Sequence, residues 1–353
     1  MRATYYGSVR RYAVRTTWQF FMYPRITDLF QDLFGFNLPL PIYSFGFMVA
    51  TAIVIAAVLS KGEFDRMYGL GQLSAVQIKE KDKKGREKMI SASPSALIWT
   101  MMLIAAGVGI AGSKLFHIID HWDRFVVDPL GLIFNPAGLT FYGGLISATV
   151  VLYFYSRSKG LSFSRIADGV APGLILAYGI GRIGCYLAGD GDWGTCSSLS
   201  QKPGWIPDFL WSESFPRNIL EVDVGTWVPA GGKVCELPPE IVTGAYPTML
   251  YETMMAIVIF AILWRIRKHP FKAGWLFSVY LVFNGIERFL IEIIRLNPNN
   301  VFGLSQAQLI AIVLTVVGLI GLAATSRKQP IVSVETDSDE KAQPEPKQSP
   351  DEH

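Results

Sequence analysis

The chain has 353 residues, of which half are hydrophobic and only 17% are charged, and its mean hydropathy is +0.31. A charged share below the roughly 25% usual in soluble domains excludes an ordinary water-soluble enzyme and points to a chain that folds in lipid. The net charge of +3 gives no reason to expect a nucleic-acid partner.

Residues 17–36 are aromatic, partly helical in period and interrupted by Pro24, as an interfacial segment would be. No long apolar run followed by small residues occupies the first forty positions, so no cleavable signal peptide is expected. At least seven later stretches can cross roughly 30 Å of hydrocarbon: about 42–60, 94–119, 139–155, 166–188, 247–266, 273–294 and 306–325. The expected fold is an all-α polytopic membrane protein with about seven transmembrane helices and an extracytoplasmic cap between helices four and five. In domain terms, 1–41 is an N-terminal arm and interfacial segment, and 42–326 is the transmembrane domain, with 189–246 its outer cap loop. Residues 327–353, rich in Pro, Gln, Glu, Asp and Lys, are expected to be a disordered cytoplasmic tail.

Lys and Arg concentrate on one side of this topology: Lys61 to Lys88, then Arg157, Lys159 and Arg165, then Arg265 to Lys272, then Arg327 and Lys328. That side is cytoplasmic by the positive-inside rule. The five arginines between Arg2 and Arg25 stand against it, and short basic arms can rest on anionic headgroups. The connection 61–93, with its run KEKDKKGREK, reads as a solvated loop.

Span two ends in GSKLFHIIDHWD, where His117, Asp120 and His121 superficially copy a zinc-protease helix. No third ligand accompanies them, and a polar, headgroup-level helix end explains them as well. Span three opens LTFYGGLISA; Gly143 and Gly144 suit close helix packing, or backbone approach to a ligand beside Tyr142. Span four carries Arg182 and then passes into an acidic, glycine-rich turn, Gly189 to Gly194. A guanidinium within a membrane helix costs roughly 2.5 to 3.5 kcal/mol, so it marks a functional site. The loop that follows holds Cys196 and Cys235, which a disulfide could join if the loop faces an oxidising compartment; bonded and free thiols both fit the sequence. Span five begins YPTMLYE, with Tyr246, Tyr251 and Glu252 at its outer mouth, and span six ends NGIERFLIEIIR. There Arg288, Glu292 and Arg295 share one helical face, so Glu292 can neutralise either arginine, as a structural pair or as part of a catalytic set. At 1.5 Å per residue, Arg182 and Arg288 lie about 9 and 10 Å below the outer ends of their spans. Two permanently charged planar forks at one depth suit a lipid phosphate.

These motifs resemble the bacterial prolipoprotein diacylglyceryl transferases. The likeness lies in GRIG at 181–184 with its acidic turn, FYGGLI at 141–146, YPTMLYE at 246–252 and IERFLIEIIR at 286–295, and it covers about 38–326. It implies a bacterial cytoplasmic (inner) membrane enzyme whose active site faces the extracytoplasmic side and whose C-terminus is cytoplasmic. Its implied partners are phosphatidylglycerol and a preprolipoprotein signal peptide with a lipobox cysteine, among membrane lipids; no cofactor and no metal are implied. The diacylglyceryl group passes to the cysteine thiol and glycerol 1-phosphate leaves. By the same resemblance Arg182, Arg288, Glu292 and Tyr142 are catalytic. Arg182, Gly143, Gly144, Gly184, Asp190, Phe45, Tyr251 and Asn284 are substrate contacts.

The chain also departs from the family's commonest pattern. Cys185 and Ala188 stand where asparagines are usual, Asp190 approximates a glutamate, and Tyr142 and Tyr246 replace histidines, while Phe45 and Asn284 replace tyrosines. Tyr142, Asp190, Asp192 and Glu292 are therefore all candidates to accept the thiol proton, and the arginines' field alone is another route to thiolate. Two other functions compete: an anionic-lipid-binding or transport protein using the same arginines without chemistry, and a zinc peptidase built on His117 and His121.

Overall fold

The computed structural model describes residues 22–36, 39–81, 87–134, 140–224 and 232–327. The basic arm before Met22 and the tail from Lys328 lie outside them, so the expectations for those segments, tail disorder included, do too.

The helices, in chain order, are α1 (Ile26–Phe34), α2 (Ser44–Gly69), α3 (Ile98–Asp120), α4 (Trp122–Val127), α5 (Pro129–Phe134), α6 (Phe141–Ser158), α7 (Phe163–Ala188), α8 (Thr248–Ile266), α9 (Trp275–Ile294) and α10 (Gln306–Thr325). Among the described residues, five helical segments are long and apolar enough to cross a membrane: Ser44–Gly69, Pro94–Asp120, Phe163–Ala188, Thr248–Ile266 and Gln306–Thr325. The other two predicted spans form α6 and α9, which fall short in composition rather than length. α6 mixes glycine, serine and tyrosine with Arg157, and α9 carries Glu287, Arg288 and Glu292.

Among the described residues the chain is mostly helical, as the fold-class expectation has it, with short strands added. Three two-stranded antiparallel ribbons decorate the helices: β1 (Val76–Lys81) with β2 (Glu87–Ala92), β3 (Cys196–Ser197) with β4 (Gly244–Ala245), and β5 (Asn299–Val301) with β6 (Leu304–Ser305). The first, together with the extension of α2 to Gly69, takes up much of the loop expected at 61–93. Its strand VQIKEK alternates apolar and polar residues, so Val76 is buried and Ile78 packs against the core formed by Phe64, Met67, Ile98 and Met101. On the opposite face Lys79 pairs with Glu87 at 2.8 Å. α2 runs past its predicted end because Phe64 and Met67, three residues apart, bury one face while Arg66 pairs with Glu63.

The helices pack as pairs: α2 on α7, α3 on α6, α7 on α8 and α9 on α10. Small residues make the close approaches, as expected where lipid removes the hydrophobic drive between helices. A Cβ on Gly143 would stand 2.7 Å from the Gly112 carbonyl, and one on Gly144 2.8 Å from that of Gly109, both on α3. Between α2 and α7 the same holds at Gly184, whose added Cβ would meet Phe45 Cα at 3.2 Å. Leu103, Ile110, Phe154, Val258 and Ile320 are exposed along the outer faces, where hydrocarbon rather than water suits them.

α1 is a short amphipathic helix; Phe30, Phe34 and Phe36 cluster on its exposed side. The α7–α8 connection folds around buried Trp193, Phe215, Val224 and Ala245, and a Cys196–Cys235 disulfide joins its ends. α7, α9 and α3 run toward the end of the bundle that carries this connection, and α2, α6, α8 and α10 start there.

Candidate active site

The site forms where α7 ends. Its last residue, Ala188, is followed by Gly189 in the left-handed region (φ 60°), which sends the chain back across the helix end. Gly191 is also left-handed, at φ 94°, and this second reversal aims Asp192 at α7. There Arg182 Nη1 donates to Asp192 at 2.5 Å, and Arg295 Nη2 donates to its other oxygen. The turn is stitched to its neighbours: the Thr248 hydroxyl donates to the Asp192 carbonyl, Gly194 N–H to the Tyr246 carbonyl at 2.8 Å, and Thr195 N–H to the Ile294 carbonyl at 2.8 Å.

Glu252, on the first turns of α8, is the centre of the cluster. Its fully buried carboxylate lies 3.4 Å from Arg182 Nη1, 3.2 Å from Arg288 Nη1 and 3.6 Å from Arg295 Nη1, and it accepts the Tyr178 hydroxyl at 2.8 Å. Glu292, equally buried, pairs with Arg288 Nη2 at 3.1 Å and lies 3.8 Å from Arg295 Nε. It also accepts Ser305 Oγ at 2.8 Å and Asn297 Nδ2 at 2.7 Å, which ties α9 to the start of α10. Three guanidinium groups therefore face three carboxylates. Side-chain exposure divides them: Arg182 keeps 19% and Arg288 25%, whereas Arg295 keeps 7%. Arg182 and Arg288 can reach a ligand; Arg295 chiefly holds Asp192.

Tyr142 opens α6, half-buried and within electrostatic range of Arg288 and Glu292. Asp190 lies beside Cys185 and Asp192, with candidate donor atoms of the three within 4.8 Å of one another. This is the one such group among the described residues, but Asp192 is already engaged by two arginines, so it is not a vacant metal site; the rings of His117 on α3 and His121 at its C-terminal cap lie 4.3 Å apart, tilted to each other. Asp190 lies beside the Cys185 thiol, and burial, with the charge of Asp192, pushes its carboxyl up to about 6. Burial alone would also raise Asp192, but the guanidiniums of Arg295 and Arg182 outweigh it and hold that carboxyl well below the usual range.

The remaining predicted contacts sort differently. Gly143, Gly144 and Gly184 are accounted for by helix packing, and the glycine that faces open space beside Arg182 is Gly181. Phe45 backs onto Gly184 through its main chain while its ring is exposed. Tyr251 donates to the Leu210 carbonyl at 2.5 Å, which secures the α7–α8 connection to α8. Asn284 sits one turn before Arg288 on α9, partly buried. The sequence reading had set Glu252 only at a helix mouth and passed over Tyr178. Glu252 carried the same signal as Arg182, an ionisable group inside an apolar span.

A family model described as prolipoprotein diacylglyceryl transferase matches residues 32–324. Among curated proteins, the chain is 30% identical over 236 residues to the phosphatidylglycerol–prolipoprotein diacylglyceryl transferase of Dehalococcoides mccartyi, covering 66% of this chain and 78% of that protein. It is 27% identical over 283 residues to the protein of that name from Lysinibacillus sphaericus, covering 80% and 87%. The matched stretch includes every residue of the arginine and carboxylate cluster, and the chain belongs to the prolipoprotein diacylglyceryl transferase family.

Proposed function

We propose that the arginine and carboxylate cluster at the end of α7 carries the reaction that names the family: transfer of the diacylglyceryl group of phosphatidylglycerol to the thiol of a lipobox cysteine in a preprolipoprotein, the first step of lipoprotein maturation. The observation that carries this reading is that Arg182 and Arg288, from different helices, share the Glu252 carboxylate and keep partly exposed forks. One phosphodiester can engage both. The substrate thiolate attacks the glyceryl carbon that bears the phosphate; the carbon–sulfur bond forms as the carbon–oxygen bond breaks, and glycerol 1-phosphate leaves with the electron pair. Negative charge grows on the phosphate oxygens, where preorganised guanidinium donors stabilise it most. The chemistry needs no cofactor.

Glu292 and Arg295 act as positioning residues. Among the candidate proton acceptors, Asp192 and Glu292 are bound to arginines, whereas Asp190 forms no ion pair among the described contacts and its carboxyl is pushed up to about 6, nearer the pH at which it must take a proton, which makes it the better base. Tyr142 then orients lipid or thiol near Arg288.

The five apolar helices with α6 and α9 make seven passes, the α7–α8 connection is the cap, and the cluster faces the extracytoplasmic side. The placement of Lys61, Arg66, Arg157, Lys159, Arg165, Arg265, Arg267 and Lys268 at the opposite helix ends supports this orientation in the bacterial inner membrane, with the C-terminus cytoplasmic. The test is purified protein supplied with phosphatidylglycerol and a lipobox peptide. A mass gain of one diacylglyceryl group on the cysteine is expected; lipid binding without that product would favour a non-catalytic lipid-binding protein.

A further inference from the structure

Against the C-terminal end of α7, where Ile219 meets Ala188, lies an open cavity of about 580 Å³, within the roughly 300 to 1,000 Å³ typical of ligand pockets. One wall is the N-terminal segment with Arg25, Asp28 and Tyr43; the other is the stretch 216–222 with Arg217, Ile219 and Glu221. We propose that this cavity receives the polypeptide that follows the target cysteine in the protein substrate. The inference rests on the reaction and orientation proposed above and adds where the rest of the substrate goes.

Both walls are built to hold their shape. Phe215 and Glu221 bracket the second wall in the left-handed region, at φ 43° and 55°. Such backbone strain in non-glycine residues persists only where surrounding contacts enforce it. Here Asn218 enforces it: its side-chain amide donates to the Phe215 and Val222 carbonyls and accepts from Val222 N–H, all within 3.1 Å. The wall is also fixed to the helix of Arg182. Ile219 N–H donates to the Ala188 carbonyl at 2.9 Å, and Phe215 packs on Trp193 at 5.0 Å, inside the acidic turn. The first wall is held to α2 by Ile26 N–H to the Ile42 carbonyl and Ser44 N–H to the Pro24 carbonyl. Arg217 bridges the two sides through its ion pair with Asp32 at 3.1 Å.

The lining chemistry selects the occupant. Arg25 lies over the Tyr43 ring, and Arg217 is already paired, while Asp28 and Glu221 supply negative charge. A phospholipid headgroup would need net positive charge and an apolar trough for its chains. An extended polypeptide, dipolar along its backbone and carrying side chains of either sign, matches a lining of mixed charge. A thiol held at the cluster has its hydrophobic signal segment in the bilayer, so the chain beyond the cysteine must leave past the end of α7, where the cavity opens.

The test places a photoreactive benzophenone amino acid at Ile219 in the full-length protein, in vesicles containing phosphatidylglycerol. The probe is a lipobox peptide extended beyond its cysteine, compared with one that ends there. A covalent adduct with the extended peptide alone is expected, as is a kcat/KM advantage of about tenfold for that peptide that Ile219→Trp brings close to parity. An adduct with phosphatidylglycerol, a crosslink to residues before Met22 of the same chain, or an unchanged peptide preference in Ile219→Trp would overturn the proposal. Photocrosslinking reads occupancy without turnover, so failure of the transfer reaction is a separate result, visible as absent diacylglyceryl addition to both peptides.

Discussion

Glu252 and Glu287 make a controlled comparison. Both are buried carboxylates near the Tyr178 hydroxyl, at 2.8 and 3.3 Å, but only Glu252 pairs with arginines among the described residues. Replacing Glu252 by Gln keeps the shape and a hydrogen bond while leaving three guanidiniums against two carboxylates. Two unit charges about 4 Å apart interact by about 4 kcal/mol at the effective dielectric appropriate to proteins. Stranding one partner of a buried pair costs roughly 3 to 5 kcal/mol, and a retained amide hydrogen bond offsets about 1. Glu252→Gln is thus expected to destabilise the protein by about 2 to 4 kcal/mol, whereas Glu287→Gln, which breaks no ion pair and neutralises a carboxylate whose Oε2 has no hydrogen-bond partner, should be neutral or stabilising. Glu252→Asp, which keeps the charge but shortens the reach, should fall between them. The assay is denaturant unfolding in detergent, followed by transfer kinetics on the folded fraction, where Glu252→Gln should lower kcat by about a hundredfold as the two forks lose their shared anchor. Equal stability of Glu252→Gln and Glu287→Gln would refute the view that this carboxylate assembles the site.

Arg182→Ala and Arg288→Ala should each abolish transfer while the protein still inserts; Arg182→Lys should retain charge but lose about a hundredfold in kcat for want of a planar fork, measured by peptide mass gain. Asp190 gives a pH signature: its carboxyl must be ionised to accept the thiol proton, so transfer should fall as pH drops through about 6, and Asp190→Asn should be slower and lose that limb. Because the folded carboxyl titrates above its unfolded value near 3.9, ionising it costs stability at pH 7, so the same variant should be equally or more stable on thermal unfolding. Gly143→Val would bring its Cβ to 2.7 Å from the Gly112 carbonyl and should loosen α3 from α6, whereas Gly181→Ala, with nothing within 4 Å, should unfold like wild type. Reducing the Cys196–Cys235 bond, which spans 39 residues, should lower stability by up to about 4 kcal/mol by the chain-entropy relation, read as a drop in Tm.

Much of this architecture is legible in the chain because lipid imposes a simple code. Apolar length marked all seven long helices, and the cost of a guanidinium among apolar residues pointed to Arg182 before any geometry was known. What escaped depended on contacts between distant segments. The loop around Lys79 looked like solvated charge because its alternating Val76 and Ile78 show their worth only against Phe64 and Ile98. Gly143 and Gly144 read more readily as packing than as ligand approach from local sequence, and Gly109 and Gly112 opposite them supply the partners that no local pattern names. The Tyr251 hydroxyl meets the carbonyl of Leu210, forty-one residues earlier, a contact that no local pattern shows. Glu252 was visible as an isolated charge, yet its standing as the common partner of three arginines arises only when α7, α8 and α9 converge.

That convergence bears on how the site discriminates between reactant and transition state. On the reaction proposed above, three guanidiniums balanced by Asp192, Glu252 and Glu292 offer no large excess charge to an arriving phosphodiester, which argues against a deep ground-state well. The balance does not exhaust the donors. In the described contacts Arg182 meets its carboxylates through Nη1, and Arg288 uses Nη1 and Nη2, leaving Nη2 and Nε of the first and Nε of the second for phosphate oxygens. As the carbon–oxygen bond breaks, the leaving phosphate gains charge that the bound lipid lacked, and these oriented donors respond to it without rearranging. Interactions that strengthen only then raise kcat rather than affinity. The buried carboxylates thus temper ground-state binding while fixing the forks that the departing phosphate needs.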